Sequence, residues 1–211
     1  FWLPPQLLPD PLFTFPASWA FLAVGLIFLA NILLVTFFSN AVNLTDGKDG
    51  LAAGCTIFCV LSFAAVAYVH GHTVFAKYLS VPYIPELGEI SVFASAMAGA
   101  CIGFLWYNCK PAAVFMGDTG SLPLGGSIGL IAVLMGQQFL LIVIGFVFLM
   151  EGVSVMIQVA SFRLTGRRVF LCTPIHHHFE QKGWSETQIV IRFWIIAGIC
   201  ALIGLATLKL R

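Results

Sequence analysis

Charge is what this sequence has least of. Only 9% of its 211 residues are Asp, Glu, Lys or Arg, while 60% are hydrophobic. A soluble domain is about 25% charged and roughly 45–50% apolar, so this few charges cannot coat a globule of this size. The mean hydropathy of +0.99 says the same, and lipid must cover much of the surface. Ten basic and nine acidic residues leave a net charge of +1, which offers no broad basic surface and argues against nucleic acid as a partner. The six cysteines (Cys55, Cys59, Cys101, Cys109, Cys172 and Cys200) lack CxxC or paired spacing. Neither a zinc site nor a disulfide framework is indicated, and they read as small membrane-core residues. A basic segment followed by a cleavage site is also lacking, so the start is no signal peptide. The first residue is Phe1, followed by Pro4, Pro5, Pro9, Pro11 and Pro16. The expectation is a chain truncated at its N-terminus, with a processed start as the alternative. Internal repeats and low-complexity segments are not evident.

Long apolar runs are what the sequence has in place of charge. Crossing a bilayer core takes about 20 apolar residues in a helix. Six stretches approach that length, near 18–39, 51–70, 91–108, 122–136, 139–162 and 189–208. The fold class expected is therefore an all-α membrane protein of about six transmembrane helices, forming one integral-membrane domain. The fourth stretch is short and carries Gly125, Gly126 and Gly129, and the third carries Ala94, Ser95, Ala96, Ala98, Gly99 and Gly103. Small residues suit close helix packing and leave a homodimer open.

The few charges are unevenly placed. Lys48, Lys110, Arg163, Arg167, Arg168, Lys182 and Arg192 follow the first, third and fifth stretches or open the sixth, which is seven of the ten basic residues. The positive-inside bias puts those loops at the cytoplasmic face. The segment from His70 to Glu89 then faces outward, where a short hairpin or a surface helix is expected. Asp46, Asp49 and Asp118 lie on the cytoplasmic side, and Glu151 lies inside the fifth stretch. Polar chemistry gathers at one membrane face, which is where an active-site cleft is expected.

Three blocks can carry that chemistry. In Asn40–Gly50, Asp46 and Asp49 are three apart and would share a face in a continuing helix, with Asn43 extending the stripe. Asn donates and accepts while ionised Asp only accepts, which suits a uracil edge, ribose hydroxyls or a magnesium shell. The plain alternative is a helix end with polar caps and D-G breakers. In Val114–Ser121, Gly117 and Gly120 allow backbone to approach a phosphate, and the following helix start offers free N–H groups. Magnesium takes one or two carboxylates plus phosphate oxygens and water, a role Asp118 fits best; an N-cap Asp is the alternative. Phe115 beside this loop is either core or a surface for stacking on a base. The third block, Pro174–Glu180, contains His176, His177 and His178. Neighbouring residues cannot all face one metal and zinc spacings are absent, so phosphate or substrate binding is preferred over a solvated loop.

In this order and spacing, the blocks resemble the phospho-N-acetylmuramoyl-pentapeptide-transferase family, within the wider group of polyprenyl-phosphate sugar-1-phosphate transferases. Asn43-Leu44-Thr45-Asp46-Gly47 and Phe115-Met116-Gly117-Asp118 mark the wider group. Pro174-Ile175-His176-His177-His178-Phe179-Glu180 with Lys182-Gly183-Trp184 marks the muramoyl-pentapeptide branch. The resemblance runs from Asn40 to Arg211 and implies the C-terminal part of a ten-helix enzyme of the bacterial inner membrane. That enzyme joins UDP-N-acetylmuramoyl-pentapeptide to undecaprenyl phosphate in peptidoglycan synthesis, releasing UMP, with Mg2+ as cofactor. Carried over residue by residue, Asp118 binds the metal with help from Asn43, and Asp46 and Asp49 lie in the nucleoside pocket. Phe115 stacks on uracil, Asn108 and Gln158 line the cleft, and His176 and His177 meet the nucleotide or its phosphates with support from His178. Two departures stand out. The family's paired aspartates have no counterpart among these 211 residues, so the chain alone is expected to lack part of the catalytic machinery. Lys48 also stands where the family has Leu. Two other readings remain: a sibling transferase using another UDP-N-acetylhexosamine, against which the triple His argues, and a membrane transporter, against which the scarcity of intramembrane charge argues.

Overall fold

Lipid offers no partner to backbone N–H and C=O groups, so a chain this apolar must satisfy them internally, as helices do. The computed structural model describes residues 17–209, with side chains from Phe21 onward. The proline-rich stretch from Pro4 to Pro16 lies outside the described residues. The elements are α1 (Ala17–Thr45), α2 (Leu51–Gly71), α3 (Thr73–Leu79), α4 (Leu87–Asn108), α5 (Asp118–Leu134), α6 (Gln138–Ile144), α7 (Phe146–Thr165), α8 (Ile175–Gln181) and α9 (Glu186–Ala206), closed by a 3-10 turn at Thr207–Lys209. There is no strand among the described residues.

Five helices are long and apolar enough to cross a membrane: α1, α2, α4, α7 and α9. Several of the six expected spans differ from the observed helices. The stretch near 139–162 is not one helix but two, α6 and α7, interrupted at Gly145. The stretch near 122–136 begins four residues earlier, at Asp118, and makes a helix of 17 residues with Pro123 in its first turns. Its hydropathic middle alone could not reveal that start, because Asp118 to Ser121 are polar or glycine. Likewise α1 continues past the expected end at 39 to Thr45. Its polar side chains bond within the helix there, Asn40 Nδ2 to the Thr36 carbonyl at 2.8 Å and Thr45 Oγ1 to that of Ala41 at 2.7 Å. The segment from His70 to Glu89 contains the short helix α3, so of the two forms expected there it takes the helix.

The bundle is organised around α2. Leu51, Ala52, Ala53, Val60, Phe63, Val66 and Ala67 are all fully buried, and α2 packs against α4 and α9 most extensively. Small residues of α4, Ala94 and Ala98, face it closely, and Ser91 Oγ donates to the Ala64 carbonyl at 3.0 Å. Cys55, Cys59 and Cys101 are buried free thiols, as read from the sequence, whereas Cys109 is exposed. Large apolar side chains cover the outside, among them Phe21, Trp106 and Phe139, as a lipid-facing surface requires. The start of α9 carries a reciprocal cap: Ser185 Oγ accepts from Gln188 N–H and Gln188 Oε1 accepts from Ser185 N–H, which satisfies two otherwise orphaned donors.

The α1–α5 contact is a backbone approach. A Cβ added at Gly125 would lie 2.3 Å from the Phe38 carbonyl oxygen and 2.7 Å from Ser39 Cα. On α4, by contrast, a Cβ at Gly99 meets nothing within 4 Å. Gly125→Ala is therefore expected to destabilise the protein by ~1–3 kcal/mol through overpacking. Gly99→Ala should be neutral or stabilising, since alanine is the better helix former. Melting in detergent followed by tryptophan fluorescence checks this, and equal behaviour of the two variants would contradict the close α1–α5 contact.

Candidate functional site

The ends of α1, α4 and α7 and the starts of α2, α5 and α9 meet at one end of the bundle, together with α8. Hydrogen bonds across sequence gaps fix that convergence. Asn43 Nδ2, in the last turn of α1, donates to Asp118 Oδ1 at 2.8 Å and to Ser121 Oγ at 2.9 Å, both in the first turn of α5. Ser39 Oγ donates to the Leu122 carbonyl at 2.9 Å, one turn lower. Gly117, just before α5, has φ 64°, a backbone conformation that side chains disfavour. It turns the chain so that Asp118 enters the helix beside Asn43.

These elements enclose a cavity of about 410 Å³ lined by Asn43, Asp46, Gly47, Lys48, Asp49, Asn108, Phe115, Met116, Gly117, Asp118 and Glu186. Seven of the residues expected from sequence thus share one cavity: Asn43, Asp46, Asp49, Asn108, Phe115, Gly117 and Asp118. The continuing helix expected through Asp49 does not form, because α1 ends at Thr45 and a turn carries 46–50. Asp46 and Asp49 reach the cavity from that turn. Asp49 Oδ2 accepts from the Ala112 N–H at 3.1 Å. Asn108 braces the same turn: its Oδ1 accepts from the Gly50 N–H at 3.0 Å and its Nδ2 donates to the Val114 carbonyl at 2.8 Å. Its amide is consumed in holding two loops together. Phe115 is 75% exposed at the rim, in the open.

Electrostatics sharpen the picture. Burial, and secondarily the nearby Asp118 carboxylate, push the Asp46 carboxyl up to about 6, with a hydrogen bond from the Gly117 backbone pulling the other way. At the rim, Lys48 Nζ donates to Glu180 Oε1 at 2.6 Å and His177 Nδ1 bonds Glu180 Oε2 at 2.9 Å. Those two bonds, Lys48 first, hold the Glu180 carboxyl down at about 2. Lys110 pairs with Glu186, which also accepts weakly from the Asp49 N–H at 3.4 Å.

The remaining candidates sit elsewhere. His176 is fully buried beneath the turn, its Nδ1 3.1 Å from Glu151 Oε2. His178 Nδ1 accepts from the Leu171 N–H at 3.1 Å, and Phe179 stacks on Trp184 at 4.4 Å, which docks α8 against α9. Gln158 is not in the main cavity. Its Oε1 accepts from the N–H groups of Val169 and Phe170, and its Nε2 donates to the Phe170 carbonyl, bracing the loop after α7. It lines a separate cavity of about 350 Å³ with Arg163, Arg168 and Thr173. No cluster of three or more His, Cys, Asp or Glu arranged to hold a metal ion occurs among the described residues. Sequence reasoning assigned no role to Met116 and Glu180, although both lie inside quoted motif blocks, nor to Lys110 and Glu186, whose only signal was a charge close to a loop. It also missed the pairing of Glu151, although an acid within an apolar run was itself the signal.

The raised Asp46 carboxyl has a stability consequence. Its folded value lies above the ordinary aspartate value of 3.8, so the folded state binds the proton more tightly between those two values. Stability is then lost as pH rises through about 6 and the deficit persists above it. With chelator present, Asp46→Asn is expected to raise the melting temperature at pH 8, with the gain disappearing as pH is lowered toward 4. A gain of equal size at both pH values would contradict the shift.

Comparison with known proteins identifies the family. Glycosyl transferase family 4 matches residues 8–136, more than half of the chain. A phospho-N-acetylmuramoyl-pentapeptide-transferase of Methylacidiphilum infernorum (isolate V4) is 55% identical over 180 residues, 85% of this chain and 49% of that protein. The protein of that name from Pelagibacter ubique (strain HTCC1062) is 56% identical over 181 residues, 86% of this chain and 50% of that protein. The chain spans about half the length of the curated relatives it matches. The resemblance carried by the three motif blocks is thus borne out across most of the sequence, and the chain belongs to glycosyl transferase family 4.

Proposed function

We propose that this protein transfers phospho-N-acetylmuramoyl-pentapeptide from its UDP conjugate to undecaprenyl phosphate, releasing UMP, at the cytoplasmic face of a bacterial plasma membrane. The observation that carries the reading is the cavity in which Asn43, Asp46, Asp49, Phe115 and Asp118 converge, in a chain more than half identical to transferases of that name. The cytoplasmic orientation rests on the seven of ten basic residues gathered at this end. A soluble nucleotide and a lipid headgroup can meet only at such a membrane face.

The residues present fit a magnesium ion. Burial first, and then the neighbouring Asp118 carboxylate, raise the Asp46 carboxyl, and a bound cation would offset the part that comes from Asp118. One or two carboxylates with phosphate oxygens and water are the ordinary magnesium set. Asp118 would hold the ion, with Asn43 orienting it through the Nδ2 bond, and Asp46 would complete the acidic surface. When bound, the ion would offset the charge of two anionic reactants and of the departing UMP.

Other steps fall to the protein's own side chains. Phe115 offers an exposed ring for uracil at the rim, and Asp49 accepts hydrogen bonds from nucleoside donors through the oxygen not taken by Ala112. His177, tied to Glu180 through Nδ1, keeps Nε2 for a phosphate. The Lys48–Glu180–His177 bridge fixes the rim in a way that the family's Leu at this position cannot.

The expected outcome is transfer of labelled sugar phosphate to undecaprenyl phosphate by this chain fused to the N-terminal helices of a relative, and none by the 211 residues alone, which contain no Asp-Asp pair. Robust turnover by the chain alone would contradict the dependence on that pair. Within the fusion, Asp118→Asn should lower turnover at least ~100-fold, the scale of losing an electrostatic stabiliser of a transition state. Wild-type rates in magnesium would remove Asp118 from the metal role. A UDP-N-acetylhexosamine lacking the peptide should be a poor donor, and its preferential use would favour a sibling activity.

A further inference from the structure

Glu151 is an acid inside a membrane-spanning helix, and it has no place in the cavity just described. Its side chain is 0% exposed, as is the whole of His176, whose Nδ1 lies 3.1 Å from Glu151 Oε2. The pair joins α7 to α8 beneath the turn between α1 and α2. An intramembrane acid is costly unless it is paired, and here the partner comes from α8, 25 residues along the chain.

The geometry beyond the pair is specific. A Cβ built on Gly47 would lie 2.6 Å from His176 Nε2 and 3.0 Å from Cε1. Only a glycine admits the imidazole at this depth. Gly47 lies between Asp46 and Lys48 in the turn that faces Asp118, so the imidazole forms the floor under the acidic turn. His176 Nε2 and Glu151 Oε1 are both buried without a hydrogen-bond partner. An unpartnered buried nitrogen aimed at a turn is not what inert packing selects, because a buried polar atom left unpaired is destabilising. Around the pair, Ser154 Oγ bonds the Glu151 carbonyl and leaves the carboxylate to His176.

We propose that Glu151 is a positioning residue for the nucleotide turn, acting through His176. The carboxylate accepts the Nδ1–H, which fixes both the ring plane and the tautomer. Nε2 is then the ring nitrogen without a proton, held against Gly47. A ring so fixed keeps the 46–50 turn raised toward Asp118 and gives the turn a hydrogen-bond acceptor when a ligand shifts it. Glu151 itself touches no substrate. This rests on the nucleotide reading of the cavity for its consequence, but the tautomer is a property of the chain alone.

Two readouts separate the inference from that reading. In 15N-histidine-labelled protein, with His176→Asn identifying the signal, His176 is expected to show protonated Nδ1 and unprotonated Nε2. A protonated Nε2 would overturn the proposal without any variant of Glu151 being needed. UMP affinity in magnesium is the second readout, with melting temperature checking folding. Glu151→Gln keeps an acceptor for Nδ1–H and is expected to bind UMP within about twofold of wild type. Glu151→Ala, still folded, should lose the tautomer preference and bind at least about tenfold more weakly. Unchanged affinity and tautomer in Glu151→Ala, or a Gln variant as defective as Ala, would overturn the proposal. If wild-type protein does not bind UMP while the tautomer is as stated, the nucleotide reading fails and the pair stands.

Discussion

The site depends on how closely α1 and α5 approach. Gly125 lets the backbone of α5 rest against the Phe38–Ser39 segment of α1, and from that contact the two helix ends emerge side by side. Asn43 then reaches Asp118 and Ser121 in one step. Had either helix been held a side chain's width away, the acidic turn and the Asp118 loop would face each other across solvent. Lipid supplies the complementary constraint. It satisfies no polar group, so the charged side chains are driven to the ends of the bundle, most of them to the end that holds the cavity, where the helix termini already leave donors and acceptors open.

That end is held by bonds to backbone more than by salt bridges. Asn108 ties Gly50 to Val114, Asp49 captures the Ala112 N–H, and Gln158 folds the loop after α7 onto its own helix. The charged bridges, Lys48 with Glu180 and Lys110 with Glu186, lie at the rim, where exposed ion pairs contribute little to stability. Their part is to close the perimeter around the acids. Phe179, stacked on Trp184 and edge-on to Phe193, carries the triple-histidine helix onto α9.

Much of this was legible in the sequence because two signals are local. Apolar length marks spans, and polar residues at the edge of an apolar run mark a site, so Asn43, Asp46, Asp49 and Asp118 could be named before any contact was known. What was not legible is long-range or depends on a single residue. The interruption at Gly145 sits within an unbroken apolar stretch, where hydropathy carries no information about a missing helical turn. Gln158 was placed in the cleft by resemblance, yet its carboxamide is spent on its own loop and faces a different cavity. The histidines were read as one phosphate-binding set, but three neighbours on a seven-residue helix point three ways: His176 inward, His177 to Glu180, His178 to the Leu171 backbone. Glu151 was visible as an anomaly, while its partner required the fold.

The central claim is that the nucleotide occupies the cavity between the acidic turn and the Asp118 loop and not the arginine-lined cavity beside Gln158. A photoreactive 5-azido-uridine diphosphate, cross-linked in magnesium and mapped by peptide mass, tests it most directly. Labelling within the segment that contains Phe115 and Met116, competed by UMP, is the predicted result. Labelling confined to the segment from Gln158 to Thr173 would contradict it.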